Sequence, residues 1–152
     1  MKKFLQKKLK DQKGMTLIEL LAVIVIIAII AAIAIPAIGN IIENSRYSAV
    51  KSDATNVLSA ANIYFTENSG DASVDTAKLI AEGFLESSGE LSATATETVV
   101  TNANPLTLTT TNAVTFSGGK AVTFTGATVS GITGDSIKGS DIDADTDHEI
   151  DE

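Results

Sequence analysis

The stretch Lys13-Gly14-Met15-Thr16-Leu17-Ile18-Glu19-Leu20-Leu21 runs without a break into apolar sequence as far as Ile35, and its reading decides the fold. Leu20 to Ile35 holds only Leu, Ala, Val and Ile, and the next charged residue after Glu19 is Glu43. A helix rising about 1.5 Å per residue from Met15 to Ile35 extends roughly 30 Å, the thickness of a bilayer's hydrocarbon core. This segment can cross a membrane. Glu19 is the anomaly, a carboxylate near the basic end of the run with no cation inside the run to neutralise it. An unpaired charge in that setting is costly. A cut between Gly14 and Met15 relieves the conflict, because it frees an α-ammonium that can pair with Glu19 of the same chain or of a neighbour.

Gly14 followed by Met15-Thr16-Leu17-Ile18-Glu19-Leu20-Leu21, behind a short basic leader, resembles the class III signal of type IV pilins and of type II secretion pseudopilins. The resemblance covers Lys13 to Tyr47, with weaker similarity to Phe65. It implies cleavage after Gly14 by a membrane prepilin peptidase, N-methylation of Met15, and assembly by a platform and ATPase into a helical homopolymer. In such a polymer Glu19 contacts the terminal amine of an adjacent subunit. Tip-type subunits often lack this Glu, so a shaft subunit is expected. Met15 departs from the family, which usually has Phe there, and slower processing or methylation is the expected consequence.

The charge of −8 over 152 residues hides an asymmetry. Residues 1–14 carry six Lys and one Asp, which leaves 5 basic and 18 acidic residues, a net of −13, for the remainder. Direct nucleic-acid binding by so acidic a body is not expected. The absence of Cys excludes a lipobox, a disulfide framework and thiolate metal sites. Within the resembled family, a chain without a C-terminal disulfide suits a Gram-positive pilin.

The expected organisation is a cleaved basic leader at 1–14, a transmembrane or filament-core helix at 15–42, an amphipathic helix half at 43–69, a globular head at 70–134 and an acidic, mobile tail at 135–152. The fold class is α+β, a long N-terminal helix packed on a small antiparallel sheet domain. The basic leader orients the C-terminus outward, so the precursor is expected in the cytoplasmic membrane, held by lipid, and the assembled subunit at the cell surface. An ordinary secretion signal would cut near Ala32-Ile33-Ala34, but its apolar region would begin with a Glu and continue into a Pro.

Pro36 removes one backbone donor and Gly39 adds slack, so a kink or melted turn is expected around Ile33 to Gly39. In the resembled family a proline at this place accompanies unwinding during packing. Beyond it, Tyr47, Val50, Ala54, Val57, Ala61 and Tyr64 step by three and four, with Leu58 and Phe65 widening the stripe. This is an amphipathic half whose aromatics read as core, ended by Asn68-Ser69-Gly70. Asp75 to Leu85 reads as a short helix with Asp75 or Thr76 as N-cap and Gly83 as its stop.

From Ser92 the composition turns to Thr, Val, Ala, Ser and Gly, and five strands are predicted: Thr98 to Thr101, Leu106 to Thr110, Ala113 to Ser117, Ala121 to Thr125 and Thr128 to Ile132. Ala-Val-Thr-Phe occurs at Ala113 to Phe116 and again at Ala121 to Phe124. Keeping both sets of apolar residues on one face requires a three-residue Gly118-Gly119-Lys120 loop or an equivalent bulge.

In the tail, Asp141, Asp143, Asp145 and Glu152 have the spacing of calcium ligands at loop positions 1, 3, 5 and 12, but Thr146 stands where the sharp turn wants Gly. A solvated acidic end is the default reading, with no metal and no cofactor. No nucleophile, base and orienting group assemble from this composition: the lone His148 lies among acids and Gly118-Gly119 does not precede a helix. The expected protein is a building block, not an enzyme. The alternatives are a pseudopilin of a secretion or DNA-uptake machine and a single-pass membrane-anchored extracellular binding protein that never polymerises.

Overall fold

The computed structural model describes residues 16–91 and 98–152. Helix α1 runs from Leu17 to Glu67, 51 residues. The described chain divides into two units between Gly39 and Asn40. In the first unit every described side chain is at least partly exposed. Pro36 lies inside an unbroken helix, so the melted turn expected at Ile33 to Gly39 is absent from this structure. Loss of one donor is tolerated where the helix continues for several turns on both sides and the ladder holds cooperatively.

In the second unit the stripe of α1 is the spine of the core. Tyr47, Val50, Ala54, Val57, Leu58, Ala61, Tyr64 and Phe65 are buried. They pack with Val100, Leu108, Val122 and Phe124 from the strands, and burying a side chain of this size stabilises by about 1.5–3 kcal/mol. The helix ends where Asn68 donates its backbone N–H to the Tyr64 carbonyl.

Strand β1 (Ser73–Asp75) leads directly into helix α2 (Thr76–Ala81). Asp75 is the N-cap, its carboxylate accepting from the Lys78 backbone N–H at 2.7 Å. Gly83, with φ of 81°, terminates the segment in the left-handed region that glycine enters without penalty. β1, β2 (Thr98–Thr101) and β3 (Thr107–Thr110) form an antiparallel sheet in that order.

A second sheet has the order β4 (Val114–Ser117), β5 (Lys120–Phe124), β6 (His148–Ile150). It is mixed and not purely antiparallel, since β5 and β6 run parallel. The sheets meet through β3 and β5: Leu108 bridges Ala127, and Thr110 Oγ1 accepts from the Phe124 N–H at 3.1 Å.

One expectation is met by its bulge alternative, and two are corrected. The β4–β5 loop is the two-residue Gly118-Gly119 turn, with Ser117 opposite Lys120, and a bulge at Phe116 restores Val114 opposite Val122. The bulge performs the task assigned to an odd loop, and Val114, Phe116, Val122 and Phe124 are all buried. Thr128 to Ile132 is not a strand. Thr128 caps helix α3 (Val129–Gly134) by accepting from the Gly131 N–H at 3.1 Å, and local capping overrides the strand preference of Val and Ile.

Nor is the tail a free acidic end. Gly139–Asp141 forms a 3-10 turn and β6 joins the sheet, because Ile142 and Ile150 are buried while Asp141, Asp143, Asp145, Asp147 and Glu149 point to solvent. Two apolar anchors eight residues apart dock an otherwise charged segment.

Candidate assembly site

Thr16 immediately precedes α1 and Glu19 lies in its first turn. The Glu19 carboxylate accepts from the Thr16 backbone N–H at 2.7 Å and from Thr16 Oγ1–H at 2.8 Å, both at Oε2. In return Thr16 Oγ1 accepts from the Glu19 N–H at 3.3 Å. This reciprocal arrangement is a capping box, and the carboxylate also sits favourably at the positive end of the helix dipole. Glu19 is therefore not bare in the described chain: it lacks a cation but has two hydrogen-bond donors. A charge argument alone does not find Thr16, although the Thr-x-x-Glu spacing signals the cap. Gly14 and Met15, the expected cleavage and methylation positions, lie outside the described residues.

Past the cap, α1 is apolar all round as far as Gly39. Leu17 is 89% exposed, and Ile33 and Ile35 each 70%. The helix is long and apolar enough to span a membrane, and none of its most apolar 18-residue window is buried within the chain. A helix with no polar face needs either lipid or other apolar helices around it.

Pro36 and Gly39 lie at the end of this apolar stretch, both helical. Among the described residues no three His, Asp or Glu side chains are arranged to hold a metal, so Asp141, Asp143, Asp145 and Glu152 are not brought together as a ligand set.

Both tyrosines of the chain anchor polar clusters in the second unit. Tyr47 donates to Asp135 Oδ2; Lys51 Nζ reaches the Asp135 carbonyl at 2.8 Å, and His148 Nε2 lies 3.3 Å from Oδ1. Burial and the adjacent carboxylate raise the Tyr47 hydroxyl above the usual tyrosine range. Burial also pushes Asp135 upward, but hydrogen bonds from Tyr47 and the Ile137 N–H, with Lys51 and His148 nearby, win and hold it below the usual carboxylate range. His148, read from sequence as one polar residue of a mobile tail, instead pairs with Asp135 and meets the Tyr47 ring edge-on at 6.1 Å.

Tyr64 donates to Asp71, while Lys78 Nζ bonds the Tyr64 hydroxyl at 2.5 Å and Asp71 at 3.2 Å. Every polar group in these clusters has a structural partner. A groove of about 770 Å³ beside Leu58, Phe65, Pro105 and Leu106 is lined without a titratable side chain.

Residues 9–35 match the family model described as the prokaryotic N-terminal methylation motif. Comparison with curated proteins found no match, and comparison with solved structures found none. The matched stretch takes in the end of the basic flank with Lys10 and Lys13, Gly14, Met15, the Thr16–Glu19 cap and the apolar run of α1 to Ile35. The chain thus carries, over residues 9–35, the prokaryotic N-terminal methylation motif, the class III signal characteristic of type IV pilins and pseudopilins, and this supports a pilin-like or pseudopilin precursor.

Proposed function

We propose that this chain is the structural subunit of an extracellular type IV filament of Gram-positive type. Prepilin peptidase cleaves it between Gly14 and Met15 and Met15 is N-methylated. The subunit waits in the cytoplasmic membrane until a platform and ATPase move it into a homopolymer displayed at the cell surface. The observation that carries this reading is the methylation motif placed directly on the exposed apolar part of α1, residues 17–42, whose single charge is Glu19. Such a helix leaves lipid only for another dry environment, and a bundle of like helices provides one.

Glu19 supplies register. In the unassembled chain its Oε2 is held by Thr16, and in the polymer the new α-ammonium of a neighbouring Met15 takes over as partner. A subunit placed out of register leaves a carboxylate unpaired in a low-dielectric interior, which is strongly disfavoured. The motif equally favours a pseudopilin, which forms short pistons. Electron microscopy of surface fibres separates the two.

N-terminal mass analysis of protein recovered from the cell surface tests the processing step. A methylated Met15 terminus is expected. A chain still beginning at its lysine-rich leader supports a non-polymerising anchor, and one beginning beyond the apolar run overturns both.

A further inference from the structure

Beyond residue 14 the basic residues are Arg46, Lys51, Lys78, Lys120 and Lys138, set against 18 acids. Lys78 lies near the C-terminal end of α1, bonded to Tyr64 and Asp71. The other four gather at the end of the second unit where α1 enters it. Lys51 is held by Asp135, and Lys120 Nζ lies 2.9 Å from Glu43 Oε2 and donates to the Ser140 carbonyl at 3.0 Å. Arg46 and Lys138 are exposed, and among the described residues their side chains have neither an ion pair nor a hydrogen bond. Glu90 lines the same hollow as Arg46 without pairing to it, and Asp141 accepts from Ser140 Oγ.

The backbone fixes where this free pair stands. Asp135 meets Tyr47 and Lys51, Gly139 is pressed against Glu43 and Tyr47, and the Ser140 N–H bonds Asn44 Oδ1 at 2.9 Å. Residues 135–140 therefore run down α1 toward its entry into the unit, and Lys138 lies at the level of the turn that carries Arg46. No charge occurs from Leu20 to Ile42, so the hydrocarbon layer extends no further along the helix than Ile42. Arg46 is four residues past that limit, about 6 Å along the helix, and the headgroup layer on each side of a bilayer is roughly 5–7 Å thick. Around the two cations Ile41, Ile42 and Ile137 are 66%, 47% and 44% exposed. Basic side chains with apolar neighbours at this depth match a lipid interface, where the long stems lie along acyl chains and the charged heads reach phosphate.

We propose that Arg46 and Lys138, flanked by Ile41, Ile42 and Ile137, form a seat on the anionic lipid headgroups of the bilayer that holds α1. An anionic surface repels a body with 18 acids, and the seat reverses that repulsion at the one end that faces lipid. The acids of a second copy would match the two cations but not the three exposed isoleucines. Each basic residue at an anionic surface strengthens contact about fivefold, so the pair makes lipid composition a determinant of how closely the waiting subunit lies against the membrane. The seat rests on the reading of α1 as membrane-held before assembly, and not on the filament.

Fluorescence quenching on the full-length chain in vesicles tests it. The chain has no cysteine, so Ser136→Cys carries a single fluorophore beside the seat, and Glu67→Cys carries one about 30 Å further along α1 as a control. The quencher is a nitroxide on the lipid headgroup, and the vesicles are phosphatidylcholine alone or with one-third phosphatidylglycerol. Anionic lipid should raise quenching at position 136 at least twofold, leave position 67 unchanged, and lose its effect at high salt. With Arg46→Gln and Lys138→Gln together the rise should turn into a fall, while Arg46→Lys alone should keep it. Flotation with the vesicles reads insertion of α1 separately, and a chain that fails to float overturns the membrane reading and the seat with it. In a chain that floats, equal or weaker quenching in anionic vesicles, or a rise that survives in the double variant, overturns the seat alone. A rise that grows with protein density at fixed lipid composition assigns the two cations to a neighbouring copy and overturns it as well.

Discussion

Tyr47 of α1 donates its hydroxyl hydrogen bond to Asp135, 88 residues further along the chain, and Asp135 in turn holds Lys51 of the same helix and His148 of β6. One carboxylate therefore joins the helix, the segment after α3 and the C-terminal strand. Its side chain is 10% exposed. Tyr47→Phe removes one donor and should destabilise the chain by about 1–2 kcal/mol. Asp135→Ala strands several partners and should cost about 2–4 kcal/mol. Urea unfolding followed by circular dichroism gives both values.

The same cluster sets a pH dependence. The folded chain holds Asp135 below its ordinary range, so its contribution is fully present above about pH 4 and is lost as pH falls further, through the folded value. Tyr47 is raised, so its contribution is present below about pH 10 and declines as pH rises beyond that, where the unfolded chain would ionise and the folded one would not. Asp135→Asn should flatten the acid limb of the stability profile and Tyr47→Phe the alkaline limb. A profile unchanged in both variants would show that the cluster does not couple folding to protonation.

What was legible in the sequence follows the range of the forces involved. The stripe Tyr47 to Phe65 was readable because helix periodicity is local, and so was the Asp75 cap. Helix α3 was not, because Thr128-Val129-Ser130 has strand composition and only the Thr128 cap argues otherwise. β6 was hidden because Ile142 and Ile150 are isolated among acids, and their burial depends on partners supplied by distant chain. At the candidate assembly site the apolar run is legible by itself, whereas Thr16 is not, because charge alone treats Glu19 as an ion while the cap uses it as a hydrogen-bond acceptor.

The Gly118-Gly119 turn separates two substitutions of similar size. Both glycines have positive φ, 52° and 87°, as a type I′ turn requires. Gly118→Asn should be neutral or slightly stabilising, since asparagine accepts this conformation and the space beside Gly118 is open. Gly119→Val should cost about 1–2 kcal/mol, because a β-branched residue is strained there. Thermal unfolding of the two variants should move in different directions or by clearly different amounts.

Gly131 records how closely the C-terminus is docked. A Cβ there would lie 2.2 Å from the Asp151 carbonyl oxygen and 3.1 Å from the Glu152 carbonyl carbon. Gly131→Ala should therefore displace residues 148–152 and destabilise by about 1–3 kcal/mol. Carboxypeptidase should trim the variant faster than the unmodified chain. Equal trimming rates would mean that the end yields without leaving the sheet.

Glu19 has two separable properties, an acceptor oxygen that completes the cap and a negative charge that attracts an ammonium. Glu19→Gln keeps an acceptor for the Thr16 donors and discards the charge; Thr16→Val keeps the charge and discards the hydroxyl. If assembly depends on the ion pair, Glu19→Gln should remain membrane-inserted, retain protection of amides 17–20 and still yield severalfold fewer sheared filaments, as should Glu19→Ala and Glu19→Val. Thr16→Val should lose about 1 kcal/mol of capping and expose those amides to exchange, while Thr16→Ser restores them. Wild-type filament yield from Glu19→Gln would assign the acid's importance to hydrogen bonding, because a neutral amide has no comparable attraction for a neighbouring α-ammonium in a dry interior.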